Sequence, residues 1–106
     1  VYDINEYQAR AGDTAIYPKE RGLEYTALGL AGEAGEYANK VKKVIRDGAD
    51  AYDRQAFAAE LGDVLWYVAM AAEELGYGME YIARINLEKL AERQAGDKIQ
   101  GAGDYR

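Results

Sequence analysis

Pro18 is the only proline in the chain, and Ala, Leu, Glu and Lys are plentiful in the sequence as a whole. No segment alternates apolar and polar residues with period two for long, so strands are not expected and the chain reads as all-α. A first helix is expected from about Asp3 to Thr14, with Asp3 as N-cap. Pro18 then breaks the chain, because proline disfavours helix at the residue before it. A second helix is expected from about Glu20 to Arg46, ended by Asp47-Gly48-Ala49-Asp50, where Gly48 suits a left-handed cap. A third runs from about Asp53 to Leu75 and stops at Gly76, and a fourth from about Met79 to Gln94. Residues 95–106 hold three glycines and little apolar content, and read as a tail. Short links between long helices favour antiparallel neighbours, hence a bundle of four to five helices in a single domain covering residues 1–106.

Two absences narrow the chemistry. With neither Cys nor His, the chain has no disulfide framework, zinc knuckle, cysteine nucleophile or histidine-based triad. The net charge of −6 opposes binding to a nucleic-acid polymer or an anionic membrane. The longest apolar run, Val64 to Ala72, is nine residues, too short to span a bilayer. The first residues, Val1-Tyr2-Asp3-Ile4-Asn5-Glu6, lack the basic and apolar regions of a signal peptide. A cytoplasmic protein is expected. A chain of this size buries only about two-thirds of its unfolded surface, so partner subunits would help it.

The acids carry the most specific pattern. Glu33-Ala34-Gly35-Glu36 is an E-x-x-E on the second helix, and Glu60-Leu61-Gly62-Asp63 is an E-x-x-D on the third. Residues three apart share a helix face, so each pair presents two carboxylates side by side. Glu33 falls at the edge of an apolar stripe of Leu23, Leu30, Ala34, Tyr37, Val41, Val44 and Ile45. Glu60 falls at the edge of the Phe57, Val64, Val68, Leu75 stripe, just before the apolar run. Both pairs are therefore expected to face inward or nearly so, where acids need a partner. Gly29, Gly32, Gly35 and Gly62 cluster around them, each costing about 1 kcal/mol relative to alanine inside a helix. Tight helix packing and close approach of a ligand are both open as reasons. The acids themselves have two possible neutralisers, a network of Lys and Arg or a hard cation. With no imidazole or thiolate at hand, an all-oxygen site suits Mg²⁺ or Mn²⁺, and Mg²⁺ is commonly shared with substrate phosphates.

On the fourth helix Asn86, Lys89 and Arg93 share a face with Ile82 and Leu90, which is expected to point toward the bundle. Lys89 and Arg93 there would meet phosphate oxygens, or merely complement the helix dipole. Tyr67 lies four residues after Asp63, on the acidic side of the third helix, where its ring could stack on a base or sugar. Trp66 points elsewhere, as a core or interface residue. No glycine-rich phosphate loop is present.

The segments Gly29-Leu30-Ala31-Gly32-Glu33-Ala34-Gly35-Glu36, Glu60-Leu61-Gly62-Asp63-Val64-Leu65-Trp66-Tyr67 and Asn86-Leu87-Glu88-Lys89-Leu90 together resemble the MazG-like nucleoside triphosphate pyrophosphohydrolases. The resemblance runs from about Leu23 to the C-terminus. It implies hydrolysis of nucleoside or deoxynucleoside triphosphates between the α- and β-phosphates, giving a monophosphate and pyrophosphate. It implies Mg²⁺, with Mn²⁺ as a substitute, held by catalytic Glu33, Glu36, Glu60 and Asp63. It also implies a homodimer or dimer of dimers with the site completed across the interface. Substrate contacts would fall to Tyr67, Asn86, Lys89 and Arg93. Many members carry E-E-x-x-E in the first motif, where this chain has Gly32, and an extra acid in the tail, where it has Gly101-Ala102-Gly103-Asp104. Dedicated dUTP or phosphoribosyl-ATP pyrophosphohydrolases share the superfamily. A non-catalytic helical oligomerisation module, its acids tied up in ion pairs, is the alternative from another class.

Overall fold

A computed structural model describes residues 3–96. Among these residues there are four α-helices and no strand: α1 (Ile4–Gly12), α2 (Gly22–Asp47), α3 (Arg54–Leu75) and α4 (Met79–Ala95), with short 3₁₀ turns at Lys19–Arg21 and Ala49–Ala51. The glycine-rich ending from Asp97 onward lies outside the described residues.

The helix ends follow from local chemistry. The Asp3 carboxylate accepts the Glu6 N–H at 2.7 Å, and that of Asp53 accepts the Ala56 N–H at 3.1 Å, each satisfying a first-turn donor. Gly48 and Gly76 have φ of +89° and +84°, conformations that favour glycine. The Gly76 and Tyr77 N–H groups fold back onto the carbonyls of Glu73 and Ala72, closing α3. α1 stops at Gly12, two residues short of the expected end. There the Thr14 N–H and hydroxyl both donate to the Ala11 carbonyl, at 3.0 and 2.7 Å, and turn the chain. α2 starts two residues late because Lys19–Arg21 form a tight turn behind Pro18, with the Arg21 N–H on the Pro18 carbonyl at 3.2 Å.

α2 and α3 form the long antiparallel pair of the molecule. Gly22 meets Glu74, Gly29 meets Tyr67, and Tyr37 meets Phe57. α1 lies against α3 and the start of α4, and Gln8 ties the three together. Its amide nitrogen donates to the carbonyls of Ala69 and Tyr77 at 3.2 and 3.0 Å, and its amide oxygen accepts the Met79 N–H at 2.9 Å. Gly78, at the N-cap of α4, has no side chain to offer. Asn5 supplies the missing acceptor from α1, taking the Glu80 N–H at 2.9 Å. The buried core sits at this end: Ala11, Tyr17, Ala69, Met70, Ala72 and Met79, with Ile4, Tyr7, Trp66, Val68 and Ile82 packed around it.

The expected burial of the α2 and α3 stripes is only partly met. Leu23, Val41, Ile45 and Leu75 are exposed, Ile45 to 84 %, and of the run from Val64 to Ala72 only Ala69, Met70 and Ala72 are fully buried. The reason is geometric: α1 covers α3 at one end, and within one chain the rest of the pair has no third layer. No helix among the described residues is long and apolar enough to cross a membrane.

Candidate active site

Midway along the pair, α2 supplies Glu33 and Glu36, and α3 supplies Glu60 and Asp63. All four line an open cavity of about 500 Å³, together with Gly29, Gly32 and Tyr67. One carboxylate oxygen from each of Glu33, Glu60 and Asp63 lies within 4.8 Å of the other two. Glu36 stands outside that trio but on the same cavity wall. Glu33 and Glu60 are half-buried, whereas Glu36 and Asp63 are exposed, so the inward orientation expected of both pairs holds for the first acid of each. Partial burial holds the Glu33 carboxyl above the usual carboxylate range, and the charges of Asp63, Glu60 and Glu36 push it further the same way.

Among the described residues, no Lys or Arg forms an ion pair with these acids. The ion pairs formed among the described residues join Arg10 to Glu6, Arg21 to Glu24, Arg46 to Asp47, and Arg84 to Glu80 and Glu88. None uses an acid of the cavity. Oε2 of Glu60 is moreover buried without a hydrogen-bond partner, an orphan acceptor that is costly to keep. Three converging carboxylates, one with an unsatisfied oxygen, fit a hard divalent cation by donor type and by charge.

The glycines divide into two kinds. A Cβ on Gly29 would fall inside the ring of Tyr67, so this glycine is required by packing. Nothing lies within 4 Å of a Cβ built on Gly32, Gly35 or Gly62, so tight helix packing within the chain does not explain them. Tyr67 is a wall of the cavity. Its ring meets Trp66 edge-on at 4.9 Å and Tyr25 at 6.4 Å. Its phenol is pushed up first by burial, then by the neighbouring Tyr25 hydroxyl and by the charges of Glu33 and Asp63. Tyr25 is missing from the sequence reading, although its position four residues before Gly29 on the same face of α2 was a readable signal. Trp66 donates its indole N–H to the Thr14 hydroxyl at 2.9 Å and packs at the core, as its placement suggested.

Asn86, Lys89 and Arg93 do not line this cavity. α4 packs on α1 and α3. Asn86 and Lys89 are exposed, and Arg93 is half-buried with a buried, unpartnered Nε. Of the apolar residues expected to turn this face inward, Ile82 packs at the core and Leu90 is half-buried.

Comparison with known proteins bears on this arrangement directly. A protein of Mycobacterium phage L5, known as the Gene 37 protein, is 46 % identical over 112 residues, an alignment covering 97 % of this chain and 98 % of the relative. No solved structure matches significantly. The family model for the MazG nucleotide pyrophosphohydrolase domain matches residues 21–96, which contain all four cavity acids and the whole of α2, α3 and α4. The chain belongs to the MazG nucleotide pyrophosphohydrolase family.

Proposed function

We propose that the protein hydrolyses nucleoside or deoxynucleoside triphosphates between the α- and β-phosphates, using Mg²⁺ held by Glu33, Glu60 and Asp63, with Glu36 as a further ligand or outer support. The single observation that carries this reading is the trio of carboxylates converging within 4.8 Å, with no cation of the described residues paired to them and one oxygen left without a donor. When bound, a divalent ion supplies charge to the phosphate oxygens and acidifies a water. The chain's own contribution is to position and to accept protons. Glu33 orients the attacking water and takes its proton. A bond forms from the water oxygen to the α-phosphorus, the bond to the bridging oxygen breaks, and pyrophosphate leaves.

Lys89 and Arg93 offset charge on the leaving group, and Asn86 contacts the nucleoside. Since these three do not line the cavity of their own chain, they reach it from a second copy. The exposed Leu61, Leu65 and Ile45 on the α2–α3 pair support a homodimer or dimer of dimers. The ligands are thus nucleotides and further copies of the chain, with no part for a membrane or a nucleic-acid polymer in a cytoplasmic setting.

The test is release of pyrophosphate and monophosphate from a panel of NTPs, dNTPs and phosphoribosyl-ATP, with Mg²⁺, with Mn²⁺ and with EDTA. Metal-dependent release from one or a few of them is expected. Glu36→Gln combined with Asp63→Asn should abolish it and weaken Mg²⁺ binding. Unchanged Mg²⁺ affinity in that variant removes the metal site, and no release from any substrate favours the oligomerisation module.

A further inference from the structure

Toward the start of α2 from the carboxylate cavity lies a second depression of about 220 Å³ to which the proposed hydrolysis assigns nothing. Pro18, Arg21, Glu24, Tyr25 and Leu28 line it. Tyr25 is the central feature. One face of its ring is stacked on Tyr17, with centroids 4.8 Å apart and planes 13° from parallel. Its ring also meets that of Tyr67, the wall of the carboxylate cavity, at 6.4 Å. The ring is therefore fixed from two sides, yet 43 % of the residue remains exposed. Leu28 beside it is 75 % exposed.

The two depressions follow one another along α2 without a lining residue in common. Leu28 and Tyr25 precede Gly32 by four and seven residues, so the three lie on one stripe of α2. Gly32 lines the carboxylate cavity and has open space above it. A side chain at Gly32 would stand as a ridge between the acids and the aromatic ring, and glycine removes it. Tyr25 and Glu33 are eight residues apart, about 12 Å along the helix axis, a separation of the order that a nucleoside triphosphate spans from its phosphates to its base.

Resting on the hydrolase reading, we propose that this depression is the subsite for the base of the nucleotide. Tyr25 is the stacking platform, and Pro18 and Leu28 are its apolar sides. The phosphates have their counterpart in the cation bound by the acids, but the flat, weakly solvated faces of the base need an aromatic or apolar surface, and base–aromatic stacking suits any base. The ring is held in place before binding, so little ordering is lost when a base lands on it. At the rim Arg21 is pinned by Glu24 through bonds of 3.0 and 3.3 Å, presenting a fixed donor and acceptor pair to the edge of the base. Tyr67, packed on Gly29, keeps the sugar end of the path.

The experiment compares two probes on the full-length protein in Mg²⁺: inorganic tripolyphosphate, and nucleoside 5′-(α,β-methylene)triphosphates that resist cleavage. Affinities are read by calorimetry for wild type, Tyr25→Ala, Tyr25→Phe and Leu28→Glu, with helical content checked by circular dichroism. Tyr25→Ala and Leu28→Glu are expected to weaken nucleotide binding about tenfold while tripolyphosphate binding stays unchanged, and Tyr25→Phe to keep wild-type affinity for both. Because Leu28 is so exposed, its variant tests the site even if Tyr25→Ala unfolds. Nucleotide affinity that is unaltered in both variants, or that falls in parallel with tripolyphosphate affinity, overturns the subsite. So does a Leu28→Glu protein that sediments as a smaller species than wild type, which would make the depression a contact between copies. A wild-type protein that binds neither probe breaks the hydrolase reading itself, a different result from any of these.

Discussion

Two regions of the molecule treat their polar groups in opposite ways. Where α1 crosses α3 and α4, Gln8 is buried and uses its amide fully, serving three backbone groups. Thr26, also buried, gives its hydroxyl to the carbonyls of Gly22 and Leu23. Midway along α2 and α3, four acids face a cavity with no cation of the described residues paired to them, and Glu60 keeps an oxygen with no donor. Buried polar groups in a folded chain are normally satisfied. One region follows that rule and holds the fold together. The other breaks it at Glu60, and the break marks where the carboxylates still need a partner.

Substitutions on the two sides should therefore separate function from stability. Glu60→Gln is expected to lower pyrophosphate release on the order of 10²–10³-fold, comparable to removing one essential electrostatic group from an active site. Its melting temperature without metal should stay level or rise, because a repelling charge is removed and no hydrogen bond is lost. A steady-state assay paired with thermal melting in EDTA checks both halves. Lost stability in parallel with lost activity would tell against the division. Gln8→Ala should do the converse. It strands two carbonyls and an N–H at the crossing of three elements, for about 3 kcal/mol in urea denaturation, a large share of the roughly 5–15 kcal/mol typical of a whole domain. Mg²⁺ affinity of the folded fraction should not move.

A finer comparison lies within α2. Gly29→Ala drives a methyl group into the ring of Tyr67, which Trp66 and Tyr25 hold in place, and should cost about 1–3 kcal/mol. Gly32→Ala meets nothing and should gain up to about 1 kcal/mol from helix propensity. If Gly32 is kept open for substrate, that gain comes with a higher KM for nucleotides, and the two readouts move in opposite directions. Equal stability changes at the two glycines would erase the distinction between packing and access.

Much of this was legible in the residues. Asp3, Gly48 and Gly76 mark helix ends because caps are local chemistry, and all three fall where expected. The acid pairs could be read because a spacing of three fixes a helix face. Three things could not. Gln8 looks like any polar residue on a short helix, and its role depends on groups 61 to 71 positions away. The four glycines near the acids look alike in sequence, and only the arrival of Tyr67 from the other helix singles out Gly29. The apolar stripes gave the right faces but not their cover. Periodicity shows that Leu23, Ile45 and Leu75 share faces with other apolar residues, and it cannot say whether this chain or another copy buries them.

The smallest expected effect concerns the join between the two regions. Tyr17 donates its hydroxyl to Glu74 at 2.8 Å, and the Glu74 carboxylate in turn occupies the space where a Cβ on Gly22 would be, at the start of α2. Burial first, then the bond to Glu74 and the charges of Glu74 and Glu73, push the Tyr17 phenol up to about 12. The unfolded chain has it near 10. The native state therefore holds this proton more tightly than the unfolded state does. The contribution to stability is complete below pH 10 and is lost as pH rises through about 12. Tyr17→Phe removes the bond and leaves the stack on Tyr25, for about 1 kcal/mol at neutral pH. In thermal melts from pH 8 to 12 the gap between wild type and Tyr17→Phe should stay constant up to pH 10 and then close. A gap that stays constant to pH 12 would mean that Glu74 anchors α2 without the phenol, leaving Gly22 as the link between the core and the helix that carries Glu33.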